Sequence, residues 1–319
     1  MAAGTGGAAV DALPEAYRRL NESFDRTLYF HLGVNAGFFS EFNNMLLAIL
    51  YCLDRRIKFV LYSADANFRT AKGWDDFFLP FCPETADDFH HENNYRWLKY
   101  YHPRRKLIVH LRKRRRGLDL LTHDVWRKFK NTGFAGKRFT IRELGIDGDI
   151  LHATRILHSI VWRYNERTAS EVGGHLAEFG LPERYIGLHV RAGDKSIEHE
   201  LYPSSSYVEA AEARSPLRDA FVLTDDYSSF EELEREHPTW RFRTSCRPEE
   251  RGYFHAEYQS LDSSAKAARL IRLFAAMDAL ALSEVFVGTF SSNPGMNMGM
   301  RMGPGRAFGV DYDSWKITW

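Results

Sequence analysis

The chain has 319 residues, 44% hydrophobic and 27% charged, the balance of an ordinary globular protein long enough for two domains. Its 43 Lys and Arg against 42 Asp and Glu leave a formal charge of +1. That argues against a dedicated nucleic-acid binder, an acidic disordered tail and a polybasic membrane protein. Cys52, Cys82 and Cys246 lack CxxC spacing and are odd in number. They suit neither a disulfide framework nor a zinc site and read as buried thiols of a reducing compartment.

Residues 1–10 are rich in Gly and Ala, and Ala12 to Phe24 has the spacing of a short amphipathic helix. The N-terminus has no basic stretch followed by an apolar core, so it does not read as a signal peptide. The longest apolar run, Met45 to Leu53, is half of the ~18 residues needed to span a bilayer. A cytoplasmic protein without a membrane span is expected. TLYFHLG (Thr27 to Gly33) predicts a strand, VNAGFFSEFNN a loop, MLLAILYCLDRR an apolar helix and IKFVLYS a second strand. This is a βαβ unit and implies a parallel sheet.

From Ser63 to about Ile150 the chain is aromatic and charged with little periodicity. KLIVHL (Lys106 to Leu111) predicts another strand, and HLRKRRRG (His110 to Gly117) a solvated basic face or the border of an acidic acceptor. Trp74 and its aromatic neighbours suit either the core or stacking on a sugar. Helical spacing runs from Ile150 to about Phe179, and Leu181-Pro182-Glu183 marks a domain boundary. Beyond it the rhythm is α/β: a strand at Tyr185 to Val190 and a helix from Ser204 to about Ala213. AFVLTDD is a strand, FEELEREHP a short helix and WRFRTS a strand. A long helix over Ser263 to Leu282, the strand EVFVGTFSS and a last extended piece in FGVDYDSW follow.

In parallel α/β sheets ligands bind at the carboxyl ends of strands. Three such ends here carry polar residues. IGLHVRAGDK brings His189, Arg191, Asp194 and Lys195. The two cations suit adjacent phosphates and Asp194 suits orienting one of them, unless the loop holds only a local salt bridge. VLTDD brings Asp225 and Asp226, fit for ribose hydroxyls, a base amine or a metal, and equally for a turn and N-cap. VGTFSSN brings Thr289, Ser291 and Ser292, where hydroxyls and free N–H groups at a helix start suit a phosphate or simple capping. Together they describe a nucleotide diphosphate pocket. GxGxxG and GxxxxGK[ST] are missing, which disfavours a dehydrogenase or P-loop hydrolase and leaves nucleotide-sugar enzymes. Asn35 and Gly37, in the first βα loop, suit a donor or acceptor contact or ordinary turn chemistry. His90-His91-Glu92 is set aside as a metal site, because adjacent loop residues do not converge on one ion.

HVRAGDK resembles the HxRRxDK motif of the α1,6-fucosyltransferases, a family that includes the core fucosyltransferase of animals and the rhizobial nodulation enzyme. KFVLYSADANFRTAKGWDDFFLPFCPE resembles that family's strand followed by its Asn-aromatic-Arg and Gly-Trp segment. The helix through Val161-Trp162-Arg163-Tyr164 sits where the family has its helix before the motif. VLTDD resembles its ATDD, and VGTFSSN its TFSS turn, all in the same order over most of Leu28 to Asn297. The resemblance implies a GT-B fold: two Rossmann-like domains with parallel sheets facing across a cleft. Residues 1–26 would be a tail and short helix, 27–180 the acceptor-side domain and 181–319 the GDP-sugar domain.

The implied activity is inverting transfer of L-fucose from GDP-fucose to a glycan hydroxyl, with neither metal nor cofactor. The partners would be a nucleotide sugar and an oligosaccharide, not nucleic acid. By the same resemblance Arg191 contacts the β-phosphate, with Lys195 and Asp194 beside it, and Tyr207 contacts the donor. Asp225 and Asp226 face the nucleoside and Ser292 the diphosphate. Glu198, or failing it Glu200, is the base at the acceptor hydroxyl. The chain departs from the pattern at Ala192, where the motif has its second Arg, and at Ala276, where the family has an Asp; the nearest acid is Asp278. Another nucleotide sugar, or a non-catalytic binding protein of the same fold, therefore stands as the alternative.

Overall fold

The computed structural model describes residues 7–96, 102–191, 202–252 and 255–313. They form two compact units, one running to Asn165 and the other starting at Glu166.

The first unit opens with α1 (Gly7–Glu22), β1 (Arg26–His31), α2 (Phe38–Asp54) and β2 (Ile57–Tyr62). The predicted βαβ is present: β1 pairs in parallel with β2, from Arg26↔Ile57 to His31↔Tyr62. Helix α2 is buried along almost its whole length, as a helix that is apolar all round must be. It begins at Phe38, inside the segment expected as loop, because Phe38, Phe39 and Phe42 fall at helical spacing and bury their rings against Phe68, Phe78, Trp74 and Trp162. Trp74 is 1% exposed and stacks on Phe78 at 4.3 Å, so it is core and not a sugar platform.

Next come α3 (Phe89–Asn93), α4 (Pro103–Arg115), β3 (Leu120–Leu121), α5 (Thr122–Phe129) and α6 (Thr132–Ala135), then the hairpin strands β4 (Phe139–Ile141) and β5 (Ile146–Gly148), and α7 (Ile150–Val161). β3 extends the parallel sheet to the order β2-β1-β3. KLIVHL is not a strand. It lies in α4, where Pro103 takes the first turn, His102 caps it and four cations close the last turn.

The second unit starts with α8 (Glu166–Glu178), a helix separate from α7 where the spacing predicts one continuous helix. The chain breaks at Trp162 to Asn165, so the units divide some fifteen residues before the expected boundary. β6 (Ile186–Val190), α9 (Ser204–Glu212), β7 (Asp219–Thr224), α10 (Tyr227–Glu236) and β8 (Arg241–Thr244) follow, then α11 (His255–Ser260), α12 (Ser263–Leu282), β9 (Val285–Gly288), α13 (Asn293–Met302) and β10 (Ala307–Gly309). The sheet is parallel throughout, in the order β10-β9-β6-β7-β8.

Central β6 is buried on both faces. Ile186, Leu188 and Val190 pack with Tyr207, Val208, Phe230 and Leu233 of α9 and α10. Gly187 turns to the opposite face, where a Cβ would sit 2.8 Å from Ser283 Oγ. The four methionines of α13 (Met296, Met298, Met300, Met302) are buried packing residues. So are all three cysteines, which are free thiols. Among the described residues no helix is long and apolar enough to cross a membrane.

Candidate functional site

Strands β9, β6 and β7 are neighbours, so Thr289, Arg191 and Asp225 emerge side by side at one edge of the second unit's sheet. Arg191 follows the last residue of β6 and donates from Nη1 to Asp225 Oδ2 at 2.7 Å. Both side chains are largely sheltered, at 18% and 15% exposure, which strengthens the pair over a surface ion pair. Asp225 thereby fixes the guanidinium at the strand end.

Asp226 does something different. It caps α10, its Oδ1 accepting from Ser228 N at 2.9 Å and Ser228 Oγ at 2.6 Å. Tyr207 is fully buried under this edge. Burial pushes its phenol well up. His189 is buried within β6, and burial, with the Arg191 charge second, drives its imidazole down to about 3, so it is neutral. No partner reaches its Nδ1 among the described residues.

The turn after β9 is tightly bound. Thr289 Oγ1 donates to Ser292 Oγ at 3.1 Å, Ser292 Oγ donates to the Thr289 carbonyl at 2.9 Å, and Gly295 N donates to Ser292 Oγ at 3.1 Å. Ser292 is thus the N-cap of α13. The N–H groups of Phe290 and Ser291, expected free for a phosphate, are not free. Both donate at 2.8 Å to the carboxylate of Asp311, beyond β10. Asp311 carries no signal in the sequence, since twenty residues of intervening chain separate it from the turn it binds. Asp278, noted as the nearest acid to Ala276, pairs with Arg301 at 2.6 Å, while Ala276 is buried.

Asp194, Lys195, Glu198 and Glu200 lie outside the described residues, as does Ala192. Asn35 and Gly37 belong to the first unit, in the turn from β1 to α2; Gly37 is the residue before that helix.

The carboxyl end of β1 carries a second constellation. Asp65 accepts from buried His31 Nε2 through one oxygen and from exposed His91 Nδ1 through the other, both at 2.8 Å. Burial raises the Asp65 carboxyl, and the hydrogen bonds of the two imidazoles outweigh it, so its pKa is lowered. The same hydrogen bond raises His91. His90 points elsewhere: it stacks on Tyr29 at 5.0 Å, and burial drives it down to about 4. Glu92 pairs with Arg112 at 3.3 Å. Among the described residues no group of three His, Cys, Asp or Glu is placed to hold a metal ion.

No family model matches the sequence, and no curated protein matches it significantly. Solved structures do. The NodZ α-1,6-fucosyltransferase soaked with GDP-fucose is 14% identical, with a TM-score of 0.51 over 88% of this chain and 93% of that one. The same enzyme co-crystallised with GDP also gives 0.51, over 88% and 94%. Fucosyltransferase NodZ from Bradyrhizobium gives 0.50 at 14% identity, over 88% and 95%. The fold is fucosyltransferase-like GT-B. In the second unit's parallel sheet, Arg191 and Asp225 stand together at the carboxyl edge, where sheets of this kind bind ligands.

Proposed function

We propose that the chain is a glycosyltransferase that takes GDP-fucose as donor and transfers the sugar, with inversion, to a glycan hydroxyl. The observation that carries this reading is Arg191, held by Asp225 at the carboxyl end of β6 between β9 and β7. The fold is shared with structures that contain GDP-fucose or GDP.

Cleavage of the sugar–phosphate bond sends its electron pair to the β-phosphate. A planar guanidinium can share that charge through two oxygens, with Lys195 as a second cation and no ion required. The acceptor oxygen bonds to the anomeric carbon from the opposite face and gives its proton to a carboxylate, Glu198 ahead of Glu200. Asp194, Asp226 and Ser291 complete the donor side, over the buried Tyr207, His189, Thr289 and Ser292.

GDP should raise the melting temperature of the wild-type protein, and Arg191→Ala should abolish that shift. Glu198→Gln should keep the shift and lose nucleotide release. A wild-type protein indifferent to GDP overturns the proposal. Ala192 favours one alternative, a different nucleotide sugar, because a cation of the family motif is missing there. A panel of GDP- and UDP-sugars, read by released nucleotide, separates the two.

A further inference from the structure

Helix α4 (Pro103–Arg115) is the most cationic segment of the chain, and the function proposed above leaves it unused. Val109 alone is buried; with Phe89 and Leu121 it anchors the helix to the first unit. Arg112 and Lys113 turn toward that anchor, pairing with Glu92 and Asp124, and Arg116 beyond the helix pairs with Asp87.

The outward side is different. At about 100° per residue, Leu107 and Leu111 lie about 160° from Val109, in the middle of the solvent-facing stripe. They are 60% and 48% exposed, and Ile108 beside them 46%. These three account for half of the large hydrophobic side chains that are exposed among the described residues. Arg114 flanks the leucines on one side and Arg104 and Arg115 on the other. None of these three arginines forms an ion pair among the described residues, although carboxylates compensate the inward cations.

Bare leucines centred between uncompensated arginines fit one kind of surface. A nucleic acid or acidic glycan would neutralise the arginines yet leave the leucines in water. A protein partner would have to match both features at once. An anionic bilayer supplies headgroup phosphates for the guanidinia and acyl chains for the leucines in a single plane. The net charge of +1 conceals this concentration, because it averages over the whole chain. We propose that the outer face of α4 docks the protein, peripherally and reversibly, on an anionic lipid surface.

The test is vesicle flotation of the full chain with phosphatidylserine–phosphatidylcholine vesicles and with phosphatidylcholine alone. Wild-type protein is expected to float only with the anionic vesicles and to be released by high salt. Leu107→Glu/Leu111→Glu and Arg104→Glu/Arg114→Glu should each weaken binding about tenfold or more, with unchanged melting temperatures because neither pair packs in the core. Failure of the wild type to float overturns the proposal, as does flotation unaffected by the leucine pair. Binding to a fluorescent oligonucleotide without flotation overturns it in favour of a nucleic acid. Dimerisation lost on the leucine substitution, again without flotation, overturns it in favour of a second copy.

Discussion

Gly295 illustrates how little latitude the second unit's edge allows a single residue. A Cβ there would fall on the Thr289 carbonyl oxygen, which is backbone and cannot swing away. Gly295→Ala should therefore cost about 2–4 kcal/mol in urea unfolding, although alanine is the better helix former. The first unit has a residue of comparable leverage. Arg96 forms an ion pair with Glu41, the two being 7% and 1% exposed, and its guanidinium lies 4.4 Å over the Trp126 ring. Burial lowers the Arg96 pKa to about 9. Arg96→Ala would strand the Glu41 carboxylate without its cation, and a loss of about 3–5 kcal/mol is expected from the same measurement. Arg191 could be singled out in the sequence because a buried apolar run ends directly on it. Arg96 could not, because it lies in the bend after α3, its partner is 55 positions earlier on α2, and no local pattern ties the two.

Elements were legible where one signal acted alone. The helix over Ser263–Leu282 was read to the residue, since Asp262 caps it and its apolar positions are regular. The strands β6, β7 and β9 were equally plain, being short, apolar and bounded by turn residues. Misreadings came where two signals competed. In α4 the Leu-Ile-Val run carries strand propensity, while Pro103 and the basic last turn carry helix signals, and the helix won because only Val109 needed burial. Between α7 and α8 neither Pro nor Gly marks the break, so one long helix was expected where two exist. Helix α13 offers a test at this scale: Ser292→Ala removes the acceptor for Gly295 N and should lower stability by about 1 kcal/mol. Asp311→Ala leaves the Phe290 and Ser291 N–H groups without their acceptor and should cost about 1–3 kcal/mol, read by thermal melting.

At the scale of the molecule, buried histidines set the acid side of the stability curve. His90 and His189 are held near 4 and 3, well below the ordinary 6.5, so the folded chain refuses protons that the unfolded chain accepts. Their contribution is intact above pH 6.5 and declines as pH falls toward the folded values, by about 1.4 kcal/mol per pH unit for each histidine. His91, raised by Asp65, acts in the opposite sense: its contribution is present below 6.5 and fades as pH rises through its folded value. Urea titrations from pH 8 to 5 should show the net acid loss, and His189→Leu should flatten it by about one proton. Finally, the ion pair at the end of β6 means that Arg191 already has a tenant. Chloride, arriving with a single weak contact, must evict a carboxylate tethered beside it. Only a species offering several oxygens at once, as a diphosphate does, competes on better terms. The strand end is thereby screened against monatomic anions such as chloride, and Asp225→Asn should lift that screen, letting chloride contend with GDP.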